Sequence, residues 1–287
     1  MIVAQCRAIH RTGTFALIFQ TVSWTLAAPL WLILHIFTSP IATLSPSSPA
    51  ASSDLLVDLG DLSVLPLIVV LTYFAPAVPM MFSGSFSART HYLAMALWQP
   101  FGLWHSILQP ILRRAARLLG GEHTAGPKTY LVQVKSVYGF VVLLSVATQV
   151  TVLQLALAPS QLRESLALTV PTLGALAGPS VSFASVFVPA GLLAPPTVDP
   201  ATIASGDLAP LATFFLQYDM YFGCGALLLW ALYLYRTAVP RISSLKTAAK
   251  VAWWFLLGGF AAAAATLLWE RDSIIDEKED RIGRKTK

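Results

Sequence analysis

Charge is scarce in this chain: Asp, Glu, Lys and Arg together make up 11% of its 287 residues, against roughly 25% in soluble domains. That deficit, joined to 56% hydrophobic residues, excludes a disordered chain and argues against a water-exposed globule. Cysteine is nearly absent. Cys6 and Cys224 stand far apart in the chain, so no disulfide framework is available and both read as plain thiols. P-loop, G-x-S-x-G, H-E-x-x-H, Rossmann and haem-type motifs are missing, which disfavours most cofactor-dependent enzymes and leaves no cofactor implied. There is no internal repeat of the kind that marks inverted-repeat transporters. No RNA or DNA motif accompanies the net charge of +5, which reads as basic loops beside anionic lipid and not as nucleic-acid binding.

What the chain does have is apolar runs of about 20 residues, the length of a bilayer span. They fall near 14–37, 62–82, 91–112, 130–158, 166–193, 210–235 and 248–269. The expected fold is therefore all-α: a polytopic transmembrane helical bundle of about seven spans over residues 1–269, followed by a soluble charged C-terminal tail, 270–287. The first run exceeds a signal-peptide core, so it reads as a span and not a cleaved leader, although Ala27-Ala28 imitates a cleavage site. Pro66, Pro76 and Pro79 remove backbone donors from the second run, which must then face protein. Gly, Pro and Ser interrupt the fifth, which reads as broken or re-entrant. Lys and Arg flank both sides of the seven-span scheme, so orientation stays open. The terminal Arg284-Lys285-Thr286-Lys287 resembles basic signals of endoplasmic-reticulum membrane proteins and points to that compartment.

Asp219 is the acidic residue placed far inside an expected span, within Phe214-Phe215-Leu216-Gln217-Tyr218-Asp219. An aspartate at that depth costs on the order of 2.5–3.5 kcal/mol on insertion scales, which singles it out as a functional candidate. Desolvation there favours the neutral carboxyl, a form able to deliver a proton. On a helix of 3.6 residues per turn, Phe215, Phe222, Gly223, Ala226 and Trp230 fall near its face, and Tyr218 adjoins it. Ring faces stabilise a passing carbocation by about 0.5–2 kcal/mol each. The plain alternative is that Asp219 only bonds a neighbouring helix and fixes packing.

A second polar and aromatic set lies in the third run: Trp98, Gln99, Trp104, His105 and Gln109. His105 and Gln109 are one turn apart and can bond each other, a substrate oxygen or Asp219; interfacial anchoring explains the tryptophans equally well. His10, His35 and His91 read as interfacial. Asp54, Asp58 and Asp61, and again Asp272, Asp276 and Asp280, have spacings that could converge on magnesium. A solvated loop and a mixed-charge tail account for them more simply, so no metal site is expected.

Three segments carry a family resemblance: Pro76-Ala77-Val78-Pro79-Met80-Met81, Ala96-Leu97-Trp98-Gln99-Pro100-Phe101, and Phe215-Leu216-Gln217-Tyr218-Asp219 with Trp230. Together they resemble small integral-membrane proteins of fungal secondary-metabolite clusters, among them membrane-bound terpene cyclases of meroterpenoid pathways. The resemblance implies a metal-independent enzyme that protonates and cyclises a prenylated, epoxidised or olefinic lipophilic substrate. Asp219 takes the acidic role, Trp98, Gln99, Trp104, His105, Gln109, Phe215, Tyr218, Phe222 and Trp230 bind substrate, and membrane lipids are the other partners. The intramembrane glutamate expected in that family has no counterpart here. Other classes open to the sequence are a proton-coupled carrier, a structural membrane protein and a magnesium-dependent membrane prenyltransferase.

Overall fold

The computed structural model describes residues 12–43, 59–82, 85–120, 127–169, 181–189, 209–240 and 242–285. Among the described residues there is no β-strand. The helices are α1 (Thr12–Val22), α2 (Trp24–Thr38), α3 (Leu59–Met81), α4 (Ala88–Trp98), α5 (Phe101–Gly120), α6 (Pro127–Leu157), α7 (Ser160–Thr169), α8 (Phe183–Phe187), α9 (Ala209–Ala238) and α10 (Ser244–Lys285). A short 3-10 turn, Pro40–Thr43, follows α2.

Several apolar runs are broken for identifiable reasons. The first splits at Ser23, whose backbone takes φ 107° and ψ 140°, a conformation that costs a non-glycine residue on the order of 1–3 kcal/mol. Its hydroxyl accepts the Thr25 amide at 3.1 Å and so caps α2. The third run splits at Gln99-Pro100, because Pro100 has no N–H to continue α4; its carbonyl instead receives the Leu103 and Trp104 amides at 2.8 and 3.2 Å and starts α5. In α3 the backbone widens into a π turn over Val70–Phe74. Pro76 cannot close an α turn onto Thr72, and a widened turn just before a proline relieves that loss.

The largest departure from a straight helix lies in α10. Gly258 and Gly259 leave helical dihedrals, Gly259 at φ +63°, a region open to glycine. Lys250 and Glu270 form an ion pair, although twenty residues of straight helix would hold them about 30 Å apart. The chain therefore doubles back at the two glycines into a hairpin with arms 244–257 and 260–285. The rings of Phe255 and Phe260 meet beside its tip at 4.8 Å. A Cβ on Gly258 would come within 2.5 Å of the Ala262 Cβ, so the tip admits no larger residue there without a shift.

Helix α9 is the centre of the bundle. It runs parallel to α2, since Asp219 meets Ser23 and Thr25 while Trp230 meets His35. On another side it packs along the second arm of α10, which also lies against α6. Tyr138 of α6 bonds Asp272, while Gly139 faces Trp269 and Gln149 faces Gly259, so that pair is antiparallel. The buried run Ala262, Ala263, Ala264 and Ala265 supplies the small side chains that let helices approach closely inside a membrane. The core holds Trp31, Trp230, Leu234, Tyr235 and Leu267 around α2, α9 and α10. A second cluster joins Ile41, Leu62, Val134 and Ile275 at the other end.

Seven spans are expected from the sequence. Among the described residues, three stretches have the length and apolar composition to cross a membrane: Leu59–Met81, Leu131–Leu157 and Ser244–Glu277. The expected first and third spans are divided by the breaks at Ser23 and Pro100, and α2 alone is a shorter apolar helix. The run at 210–235 is one continuous helix, but Gln217, Asp219 and its tyrosines dilute it. The third stretch is the folded hairpin. Of the run at 166–193, the end of α7 and α8 are described; 170–180 and 190–208 lie outside the described residues. Large apolar side chains on outer faces, such as Phe37, Leu143 and Leu229, are compatible with membrane association.

Two further expectations meet a different arrangement. His35 is 2% exposed and accepts the Trp230 indole N–H on Nδ1 at 3.1 Å, so it belongs to the core and not to an interface. The boundary after Trp269 falls inside α10, where Arg271, Asp272 and Ile275 are buried. There Arg271 Nε donates to Asp272 Oδ1 at 2.8 Å and the Tyr138 hydroxyl donates to Oδ2 at 2.8 Å, so both carboxylate oxygens are satisfied, as burial demands.

Two outcomes follow from these contacts. In a chain with Cys6 and Cys224 replaced by serine, Lys246→Cys and Glu277→Cys should both react with a membrane-impermeant maleimide from the same face of sealed vesicles; a straight α10 would place them on opposite faces. A Cβ on Gly223 would sit 1.8 Å from Trp24 Cδ1, so Gly223→Ala should lower thermal stability by about 1–3 kcal/mol, an overpacking cost, measured by detergent-solubilised unfolding.

Candidate functional site

Asp219 is half-buried and fastens α9 to the break between α1 and α2. Its Oδ1 accepts three bonds: from the Ser23 hydroxyl at 2.7 Å, the Thr25 amide at 2.6 Å and the Thr25 hydroxyl at 2.9 Å. Among the described residues, none donates to Oδ2. The contact places a carboxyl group at the N-terminus of α2, where exposed N–H groups and the helix dipole favour an acceptor. The unusual Ser23 backbone turns two hydroxyls and one amide toward a single oxygen, and strain of this kind is found where geometry serves a site.

Next to the acid the walls are aromatic. Trp24 follows Ser23 directly, and its ring occupies the space that a side chain at position 223 would need. Phe19 meets it edge-on at 4.5 Å, and Cys224 hydrogen-bonds its side chain. Tyr73, in the π turn of α3, lies close enough to Cys224 to interact electrostatically. Around Tyr73 stand Phe74 at 5.4 Å, Trp98 at 5.4 Å and Phe101 at 5.3 Å. The break at Pro100 brings Trp98 and Phe101 onto this cluster from two helices. The Trp98 indole Nε1 is buried with no hydrogen-bond partner, and a lone buried donor of this kind calls for an explanation.

The residues singled out from sequence are distributed unevenly. Trp98 joins the ring cluster, whereas Gln99 is exposed at the helix break. Trp104 donates its indole N–H to the Leu97 carbonyl at 2.8 Å, tying α5 back onto α4. His105 is buried and hydrogen-bonds Gln109; neither bonds Asp219. Tyr218 stacks between Phe214 and Phe222 with centroids at 4.4 and 6.0 Å. Phe215 and Phe222 are 55% and 57% exposed, on the outer flank of α9 and not against the α1–α2 break. Trp230 lies eleven residues from Asp219, about 16 Å along the helix, committed to His35.

Ser23, Trp24, Thr25, Tyr73 and Cys224 are not among the site residues expected from the sequence, whereas Gly223 falls near the Asp219 face by helical periodicity, as the structure has it. The signal available was the polar Ser23 and Thr25 interrupting the first apolar run. Adjacent to the acid, Gln217 Nε2 donates to the Ser185 carbonyl at 2.9 Å and the Tyr221 hydroxyl donates to the Phe187 carbonyl. These bonds seat α8 beside the same stretch of α9.

Among the described residues, no three His, Cys, Asp or Glu side chains gather as a metal-ligand set. Asp61 is paired with Arg113 at 3.1 Å, and Asp272 with Arg271 and Tyr138. Asp54 and Asp58 lie outside the described residues.

The chain is 25% identical over 284 residues to the terpene cyclase ascI of Acremonium egyptiacum, covering 94% of this chain and 65% of that protein. It is 28% identical over 269 residues to the terpene cyclase ctvD of Aspergillus terreus, covering 89% of this chain and 66% of the relative. The chain thus spans just under two thirds of the length of the curated relatives it matches. No solved structure matches it. Residues 5–276 match the family model described as the CtvD domain, and the chain belongs to that family.

Proposed function

We propose that this protein is a membrane-bound terpene cyclase of fungal secondary metabolism, with Asp219 as the acid that starts cyclisation of a prenylated substrate. The observation that carries the reading is the unequal treatment of the two carboxyl oxygens. With Oδ1 filled by three donors, a proton delivered by this carboxyl would leave from Oδ2, which has no hydrogen-bond partner among the described residues. That proton passes to an epoxide oxygen or an olefin carbon. As the epoxide C–O bond breaks or the π bond is protonated, electrons of neighbouring double bonds close the rings. The final cation loses a proton, so the sum is an isomerisation and Asp219 is reprotonated for the next turnover.

The surroundings suit each step. Donors from Ser23 and Thr25 stabilise the carboxylate left behind and need no reorganisation as charge develops, the general advantage of preorganised dipoles. Trp24, Tyr73, Trp98 and Phe101 supply ring faces for a moving cation while offering no strong nucleophile. The unpartnered Trp98 indole N–H is suited to hold a substrate oxygen. A lipophilic isoprenoid reaches such a site from the bilayer, consistent with a chain rich in apolar helices. No metal enters the scheme. The carrier reading has no observation in its favour.

Microsomes containing the protein and fed a prenylated epoxide provide the test. Asp219→Asn should abolish cyclisation with expression unchanged; retained turnover would refute the assignment. Thr25→Val and Ser23→Ala leave the acid in place and each remove a donor to Oδ1, so each should slow turnover about tenfold or more, the size of one charge-assisted bond in the transition state, with KM little altered. Trp98→Phe keeps the ring and removes the donor, and should raise KM more than it lowers kcat.

A further inference from the structure

A concave site lies away from Asp219, in the cleft between the two arms of the α10 hairpin and α6. Its volume is about 370 Å³, and it is lined by Val142, Lys250, Trp254, Thr266, Trp269, Glu270 and Ser273. The Lys250 and Glu270 side chains are each about one-third exposed, so both charges can be reached. Beneath them the ammonium sits 5.5 Å from the Tyr235 ring centroid. Trp254 and Trp269 come from opposite arms, which the doubling back at Gly258-Gly259 brings to one level.

We infer that this cleft binds the headgroup of a zwitterionic phospholipid, with its phosphate toward Lys250 and its amine toward Glu270 and the tryptophans. The first argument is charge complementarity. Lys250 and Glu270 pair with each other, and a ligand carrying the two opposite charges can join that pair from its exposed side, whereas a purely anionic head meets Glu270. Indole rings next to a carboxylate add attraction for an ammonium group. The second argument is continuity with the apolar surface. Leu143 of α6 and Trp253 and Leu256 of the first arm are 72%, 58% and 55% exposed on the two elements that frame the cleft. Such side chains suit acyl chains, which selects a lipid over a soluble zwitterion. Lys250 is eight residues from the tip of the hairpin, about 12 Å along the arm, which leaves a length of apolar arm beyond the charged pair for the chains to follow.

Full-length protein in detergent micelles, given equimolar phosphatidylethanolamine and phosphatidylglycerol with identical acyl chains and read by native mass spectrometry, tests the inference. The wild-type protein should retain the zwitterionic lipid over the anionic one by about fivefold, or roughly 1 kcal/mol. Glu270→Gln leaves Lys250 without its counter-charge and should reverse the preference toward phosphatidylglycerol. Trp254→Leu should lower retention of the zwitterionic lipid while Asp219→Asn leaves it unchanged. Equal retention of both lipids by the wild-type protein overturns the inference without recourse to any variant, and so does an unaltered preference in Glu270→Gln. Because Asp219 is not part of the cleft, either result is independent of the proposed cyclase activity.

Discussion

The carboxyl group of Asp219 is the fastening on which the upper part of the bundle depends. One oxygen draws three donors from a tripeptide more than 190 residues away in sequence, and through them it sets where α1 ends, where α2 begins and how α2 lies on α9. The Ser23 backbone is held away from its preferred conformations to make this contact. Neither half is self-sufficient: without the acid, the positive φ at Ser23 has nothing to offset its cost, and without the break, two hydroxyls and an amide could not converge on one atom.

The remaining architecture extends this contact downward. Trp24 is seated against Gly223, His35 against Trp230, and the ring of Tyr235 carries Lys250 from the hairpin. Each contact lies further along α9, so the helix acts as a spine whose successive residues meet α2 on one flank and α10 on another. At the far end Arg271, Asp272 and Tyr138 form a buried polar group in which each carboxylate oxygen has a partner. Such a group is costly to disrupt, because removing one member strands a buried charge.

Much of the helical framework was legible in the sequence. The runs expected at 62–82, 130–158 and 210–235 correspond to Leu59–Met81, Pro127–Leu157 and Ala209–Ala238, because length and hydropathy alone set those limits. The breaks were not. Ser23, Gln99-Pro100 and Gly258-Gly259 each occupy one or two positions in a run that stays apolar on average, and a composition argument passes over them. For the same reason three stretches among the described residues, and not seven, have the length and composition of a crossing. Within the site, Asp219 stood out by its isolation and Trp98 by its neighbours, but Ser23 and Thr25 are brought to the acid, and Tyr73 to Cys224, by tertiary packing that no local pattern records. Helical periodicity placed Phe215, Phe222 and Trp230 on the acid's face; a stripe wide enough to include all three also wraps onto the outside of α9 and into its core.

The doubled-back helix has a consequence for topology. A hairpin that enters and leaves by one side adds no crossing, whatever number of crossings precedes it. The second arm of α10 therefore runs back to the end of the bundle at which α9 finishes, so that Arg236 and Lys246 lie at the same end as Glu277. Were the bundle inserted in a bilayer, parity would leave both ends of the hairpin at one leaflet, where a straight final helix would divide them between two.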